Sequence, residues 1–201
     1  MKGECSRCKE PLINENASPD VVKTGYGRCR KCENAHTKIK SRTIGGRYTA
    51  GRSQAKHNNH NWELSLQQYA AIVSSDQCFY CEKPLPIAAA GLDRKDNGDY
   101  TWDTVLPCCS KQPRIPGARG CNETKSYKMA PIILFTWRQF QKYGKLPTEQ
   151  DFINRIHEFE AERDKVFEVI CGLNSNEIKI LKRAKSVRES LEKLRKTKPI
   201  L

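Results

Sequence analysis

Cysteine spacing constrains this chain more than any other feature. Ten cysteines stand in 201 residues, and six of them form three C-x2-C pairs: Cys5/Cys8, Cys29/Cys32 and Cys78/Cys81. Two sulfurs at i and i+3 in a tight turn can point at one ion, whereas a disulfide framework has no reason to repeat that spacing. Cys5, Cys8, Cys29 and Cys32 supply four thiolates for tetrahedral Zn²⁺. A four-cysteine set leaves no open coordination position, so this first site is structural. Cys78 and Cys81 open a second set, which Cys121 and one of Cys108 and Cys109 complete; spacing alone leaves that choice open. The N-terminal sequence MKGECSRCKEPL has no apolar signal-peptide core, and no apolar run approaches the ~20 residues of a membrane span. The expected compartment is therefore a reducing cytoplasm in which thiolates persist.

Charge adds a partner. Lys and Arg number 36 against 23 Asp and Glu, a net charge of +13. Residues 1–60 carry 13 basic and 5 acidic side chains, residues 61–130 carry 8 of each, and the remainder carry 15 and 10. Basic flanks suit a polyanion, and a balanced middle rich in Asp suits cation chemistry. Four segments are expected: a zinc knuckle over 1–34, a basic connector over 35–63, a second zinc module over 64–130 and C-terminal helices over 131–201. The knuckle is too short to bury a core, so its metal must hold it together. In the connector, Gly45, Gly46 and Gly51 argue against a long regular element beyond a helix near 34–42. Arg28, Arg30, Lys38, Lys40, Arg42, Arg47, Arg52 and Lys56 are the candidate nucleic-acid contacts.

Local patterns place the other elements. Ser65 and Gln68 form a capping-box signature before Leu66, Tyr69, Ala70 and Val73, which recur at helical spacing. Short strands are expected over 91–94 and 100–106, joined through Asp96-Asn97-Gly98-Asp99. A helix starts after Cys121, and Pro131 opens the next. Thr148 precedes an acidic helix start, Gly172-Leu173-Asn174 is a break, and a 4-3 rhythm then runs from Ile180 to the tail. These last helices read as an antiparallel hairpin, with a homodimer seam as the alternative. Phe135, Trp137 and Phe140 are assigned to packing of that hairpin, and Phe79, Tyr80, Tyr100 and Trp102 to the core of the central module. His57 and His60 read as solvated linker, and Cys171 as a buried apolar residue.

The central pattern, CFYC…LDRKDNGDYTWDTVLPCC…CNETK, resembles the zinc-bearing HNH endonucleases of phages, including the endonuclease VII type of junction resolvase, over about residues 76–130. The resemblance implies an α+β chain whose central module is a zinc-bound hairpin followed by a helix, the ββα-metal arrangement, in a phage- or bacterium-type intracellular protein. It implies that Asp93 and Asn122 hold Mg²⁺ or Mn²⁺ against a scissile phosphate, in addition to two structural Zn²⁺. A general base and a phosphate-contacting cation complete such chemistry. Where the family has histidines this chain has Arg94, Asp96 and Lys125, and Thr104 stands where Asn is common. The implied roles are Asp96 as base or auxiliary ligand, and Arg94 or Lys125 as the phosphate contact. Arg114 and Arg119 fall in a longer insert between the last two cysteines.

The expected function is thus a divalent-metal-dependent DNA endonuclease. The alternative is a catalytically inactive relative that binds DNA or RNA as a regulator or assembly component. A protein-interaction adaptor working through its helices is the third reading.

Overall fold

The structure, a computed structural model, describes residues 3–85, 91–96, 98–109, 120–125 and 129–197. Asn97, Arg114 and Arg119 lie outside the described residues. The chain is α+β and divides into two compact units, Met1–Arg42 and Thr43–Leu201. Among the described residues, no helix is long and apolar enough to cross a membrane.

The first unit contains helices α1 (Pro19–Thr24) and α2 (Arg30–Ser41). Its core is small: Cys5, Leu12, Ala17, Cys29 and Cys32, with Val21 and Val22 packed against them. So little apolar surface cannot offset the conformational entropy of forty residues, which is the physical case for a metal staple. Two backbone segments meet closely here. A Cβ at Gly3 would stand 2.2 Å from the Gly25 carbonyl oxygen. Gly25 in turn ends α1 with φ 70°, the left-handed conformation that glycine adopts without strain.

The second unit begins with α3 (Ile44–His57), which replaces the irregular connector expected for this stretch. Thr43 caps it by accepting from the Gly46 N–H at 3.0 Å. Glycine normally costs about 1 kcal/mol in a helix interior. At Gly45 tertiary packing overrides that cost, because a Cβ there would meet the Lys182 side chain at 2.4 Å and the Lys182 carbonyl at 3.0 Å. Helix α4 (Leu66–Ile72) follows, and Ser65 and Gln68 complete the expected capping box.

Strands β1 (Leu92–Arg94) and β2 (Val105–Pro107) pair antiparallel in the register Leu92↔Pro107, Asp93↔Leu106, Arg94↔Val105. The second strand starts later than its sequence pattern suggests, because Tyr100 leaves the hairpin to bridge Trp62. Helix α5 (Cys121–Lys125) returns against this hairpin.

Among the described residues, the C-terminal part holds the expected helix from Pro131, α6 (Pro131–Tyr143), followed by α7 (Glu149–Cys171), α8 (Ser175–Arg183) and α9 (Val187–Thr197). The helix expected from Ile180 to the tail breaks at Ala184, which is extended. Its carbonyl accepts from the Ile44 N–H at 2.7 Å, and the Lys185 carbonyl accepts from Arg47 at 2.7 Å. Both acceptors are turned toward α3 and lost to the helix ladder.

One hydrophobic core joins these elements. Phe79 packs against Phe135, Phe152 and Phe159 with ring centroids 6.0–6.1 Å away. Tyr48, Trp62, Tyr69 and Tyr100 form a second aromatic group. The Arg163 guanidinium lies 3.9 Å above Trp102. Phe79 and Tyr80 are buried as expected, and so is Phe135. Trp137 and Phe140 are not: they face outward from α6. Cys171, expected inside, is exposed at the end of α7.

The close Gly3–Gly25 approach yields a direct test. Gly3→Ala is expected to force these backbones apart and to weaken the first cysteine cluster only. Zinc competition with a chromogenic chelator should then find one tightly held ion per chain in the variant, against the two expected for the wild type.

Candidate metal centres and the adjoining polar cluster

Two sets of four cysteines have sulfurs that all lie within 4.8 Å of one another: Cys5, Cys8, Cys29 and Cys32, and Cys78, Cys81, Cys109 and Cys121. The second set settles the open pair in favour of Cys109. Cys108 is wholly buried beside it, with its thiol 3.6 Å from the Cys109 carbonyl.

Both sets are built by one local device. In the first, the Cys5 N–H donates to the Glu10 carbonyl at 2.8 Å, and Lys9 takes φ 64°. In the second, the Cys78 N–H donates to the Lys83 carbonyl at 2.8 Å, and Glu82 takes φ 57°. Glu4 bridges Pro11, and Gln77 bridges Pro84 at the same offset. The shared pattern is C-x2-C-x2-P-L, and Leu12 and Leu85, which end its two copies, are both buried. The Pro-Leu pair is a structural signal that the cysteine spacing alone overlooks. Helices then bring the remaining sulfurs except that of Cys109, which follows β2. Cys29 caps α2 with Cys32 in its first turn, and Cys121 begins α5.

The geometry fits Zn²⁺. With Zn–S near 2.3 Å, the sulfurs of a tetrahedron stand about 3.8 Å apart. Cys8 and Cys29 sulfurs are 3.7 Å apart, as are those of Cys81 and Cys109. Backbone N–H groups also point at the sulfurs: Cys29 N–H to Cys5 Sγ and Cys121 N–H to Cys109 Sγ, each at 3.3 Å. The backbone N–H groups of Cys8 and Cys29 draw the Cys5 thiol down to about 6. In the second set, the hydrogen bond with Cys109 draws Cys81 well below the ordinary thiol range and pushes Cys121 well above it. Four thiolates this close require a cation.

Beside the second set lies a buried polar cluster on β1 and α5. Asp93 is 6% exposed and Lys125 is 1% exposed. Lys125 Nζ sits 3.0 Å from the Asp93 carboxylate and also donates to the Arg94 carbonyl. The Tyr80 hydroxyl donates to Asp93 at 2.5 Å. Burial, and then the charge of Asp93, push the Tyr80 hydroxyl far above the ordinary phenol range, which keeps it a donor. Asn122, directly after Cys121, is exposed and donates from Nδ2 to the Leu92 carbonyl at 3.4 Å.

The other candidate residues are engaged locally. Arg94 is buried, donates to the Gly98 carbonyl at 2.6 Å and lies 5.0 Å over the Tyr100 ring. Asp96 is exposed and accepts from the Gly98 N–H at 2.9 Å. Thr104 donates to the Asp99 carbonyl at 2.7 Å, tying the hairpin loop. Asp99 itself accepts from the Asn61 backbone and side chain, which hold its carboxyl below the usual range.

Of the candidate nucleic-acid contacts, Arg30, Lys38, Lys40 and Arg42 are exposed in the first unit, and Arg52 and Lys56 in the second. Arg28 is half-buried and pairs with Glu33 at 3.1 Å. Arg47 corrects the expectation: it is 2% exposed and spends its guanidinium on the Lys185 carbonyl, so it offers nothing to a phosphate.

No protein-family model, curated protein or solved structure matches this chain.

The buried pair predicts a stability effect. Asp93→Ala leaves the Lys125 ammonium buried without its carboxylate and is expected to cost about 3–5 kcal/mol. Adding Lys125→Met should restore most of that loss in urea unfolding, whereas additive losses would contradict the pairing.

Proposed function

We propose that the chain is a divalent-metal-dependent DNA endonuclease of the HNH type, with two structural Zn²⁺ ions and a ββα-metal centre formed by β1, β2 and α5. The observation that carries this reading is the hydrogen bond from Asn122 to Leu92, thirty positions away in sequence. It ties the start of α5, where Asn122 follows Cys121, to the backbone of β1 one residue before Asp93.

Oxygen donors suit a hard cation such as Mg²⁺ or Mn²⁺. Lys125 already provides a positive partner to Asp93. A divalent ion would bind through Asp93 and Asn122 by displacing that ammonium, and would supply charge stabilisation at a phosphoryl oxygen. Of Asp93 and Asp96, it is Asp96 that is exposed enough to take a proton from water, once it gives up its turn hydrogen bond to Gly98. Lys125, released from Asp93, would be the phosphate contact.

A second reading rests on the same pair. With Lys125 holding Asp93, Arg94 folded onto Tyr100 and Asp96 capping its turn, each group already has a structural partner. On this reading the module is a zinc-held DNA or RNA binder without catalysis.

Nicking of supercoiled plasmid by zinc-loaded protein, with Mg²⁺ or Mn²⁺ added, separates the two. Asn122→Ala is the cleaner probe, since Asn122 is exposed and its loss leaves no buried charge. The endonuclease reading expects metal-dependent nicking that falls at least about 100-fold in Asn122→Ala, the scale of one lost electrostatic contact in a transition state. Binding without cutting under either metal would leave the second reading. Both readings expect affinity to fall steeply with salt, as released counterions require.

A further inference from the structure

Helix α6 presents an outer face that the core does not use. Leu134, Phe135 and Gln139 turn inward, while Ile133, Trp137 and Phe140 are 56%, 41% and 47% exposed. These three follow the i, i+4, i+7 spacing of one helical stripe. With Ile132, Thr136 and Leu146 they line a shallow apolar depression of about 350 Å³. A contiguous exposed patch of this kind marks a binding surface rather than scattered surface residues.

The chemistry around the stripe selects the occupant. From Thr124 to Thr148 the sequence has no carboxylate, and Arg138, Lys142 and Lys145 are interleaved with the rings. The Arg138 guanidinium lies 4.7 Å over the Trp137 ring, so a cation and an exposed indole are presented together. Glu82, brought from the second cysteine knuckle, takes Lys142 and the Tyr143 hydroxyl at the far end. Tyr143 is exposed as well, but its ring carries Lys142 at 4.7 Å and its hydroxyl is held by Glu82, so Trp137 and Phe140 are the outward rings of the stripe itself. A second copy would bring the same cation-rich rim against itself, which charge disfavours. A polyanion that also offers flat apolar rings meets both demands, and a nucleic acid does so only where its bases are unpaired.

The face also adjoins the polar cluster. Arg138 donates to the Thr124 hydroxyl at 3.1 Å, and Thr124 lies on α5 between Asn122 and Lys125. We propose that the outer face of α6 stacks unpaired bases on Trp137 and Phe140, so that the nucleic acid engaged by the Asp93 cluster carries a single-stranded stretch beside it. This rests on the nucleic-acid reading above and adds to it a base-stacking surface outside the Asp93 cluster.

The test measures binding of full-length, zinc-loaded protein to a short oligothymidine and to a blunt duplex, by fluorescence anisotropy. Trp137→Ala and Phe140→Ala should each weaken oligothymidine binding roughly tenfold or more, the scale of one lost stacking partner. Duplex affinity and the thermal midpoint should stay at wild-type values, and Trp137→Phe should retain most of the oligothymidine affinity. Unchanged oligothymidine binding in both alanine variants, with duplex binding intact, would overturn this proposal and leave the function above standing. So would equal weakening toward both DNAs. A loss of self-association in sedimentation, without any change in DNA binding, would instead make the face an interface between copies. Wild-type protein that binds neither DNA at low salt would overturn both proposals.

Discussion

Four thiol groups gathered within one coordination sphere cannot all ionise beside one another unless a cation sits among them. That constraint appears twice in this chain, and the rest of the structure depends on it. In the first unit the cysteines are most of the core, so a metal bound by them would make binding and folding the same event. In the second unit the cysteines join a large aromatic core, and the metal's role shifts from making the fold to fixing its details. A metal held there would lock the start of α5 at Cys121, and with it where Asn122 and Lys125 lie relative to β1.

The buried trio of Tyr80, Asp93 and Lys125 is the chemical consequence of that placement. An ion pair shielded from water is held by geometry and by its hydrogen bonds, and removing either partner is costly because the other stays behind. Loss of activity in an Asp93 variant would therefore mix misfolding with lost chemistry. Asn122, reached from the same helix but exposed, separates the two effects. Under the function proposed above, a divalent ion at Asp93 would have to outcompete an ammonium already resting on the carboxylate.

Much of this was legible in the sequence, for identifiable reasons. The cysteine pairs announced the two four-cysteine clusters, because ligand spacing is a local property of a tight turn. The Ser65–Gln68 capping box and the break at Asn174 were equally local and came through intact. What stayed hidden depended on contacts distant in sequence. The glycines of 45–51 read as helix breakers, yet Gly45 is small because α8 lies against it. Arg47 read as a surface cation, yet the carbonyl at Lys185 draws it inside. Trp137 and Phe140 read as core on apolarity alone, and only the packing of the opposite face of α6 leaves them outward. The Asp93–Lys125 pair joins residues from a strand and a helix, and no local pattern signals it.

X-ray absorption at the zinc K-edge of the full chain, with zinc quantified per protein, tests the central claim most directly. The account predicts two zinc ions per chain, each with four sulfurs at about 2.3 Å and no nitrogen or oxygen in the first shell. Metal-free folded protein with cysteines in disulfides, or a shell of mixed sulfur and nitrogen or oxygen, would contradict it.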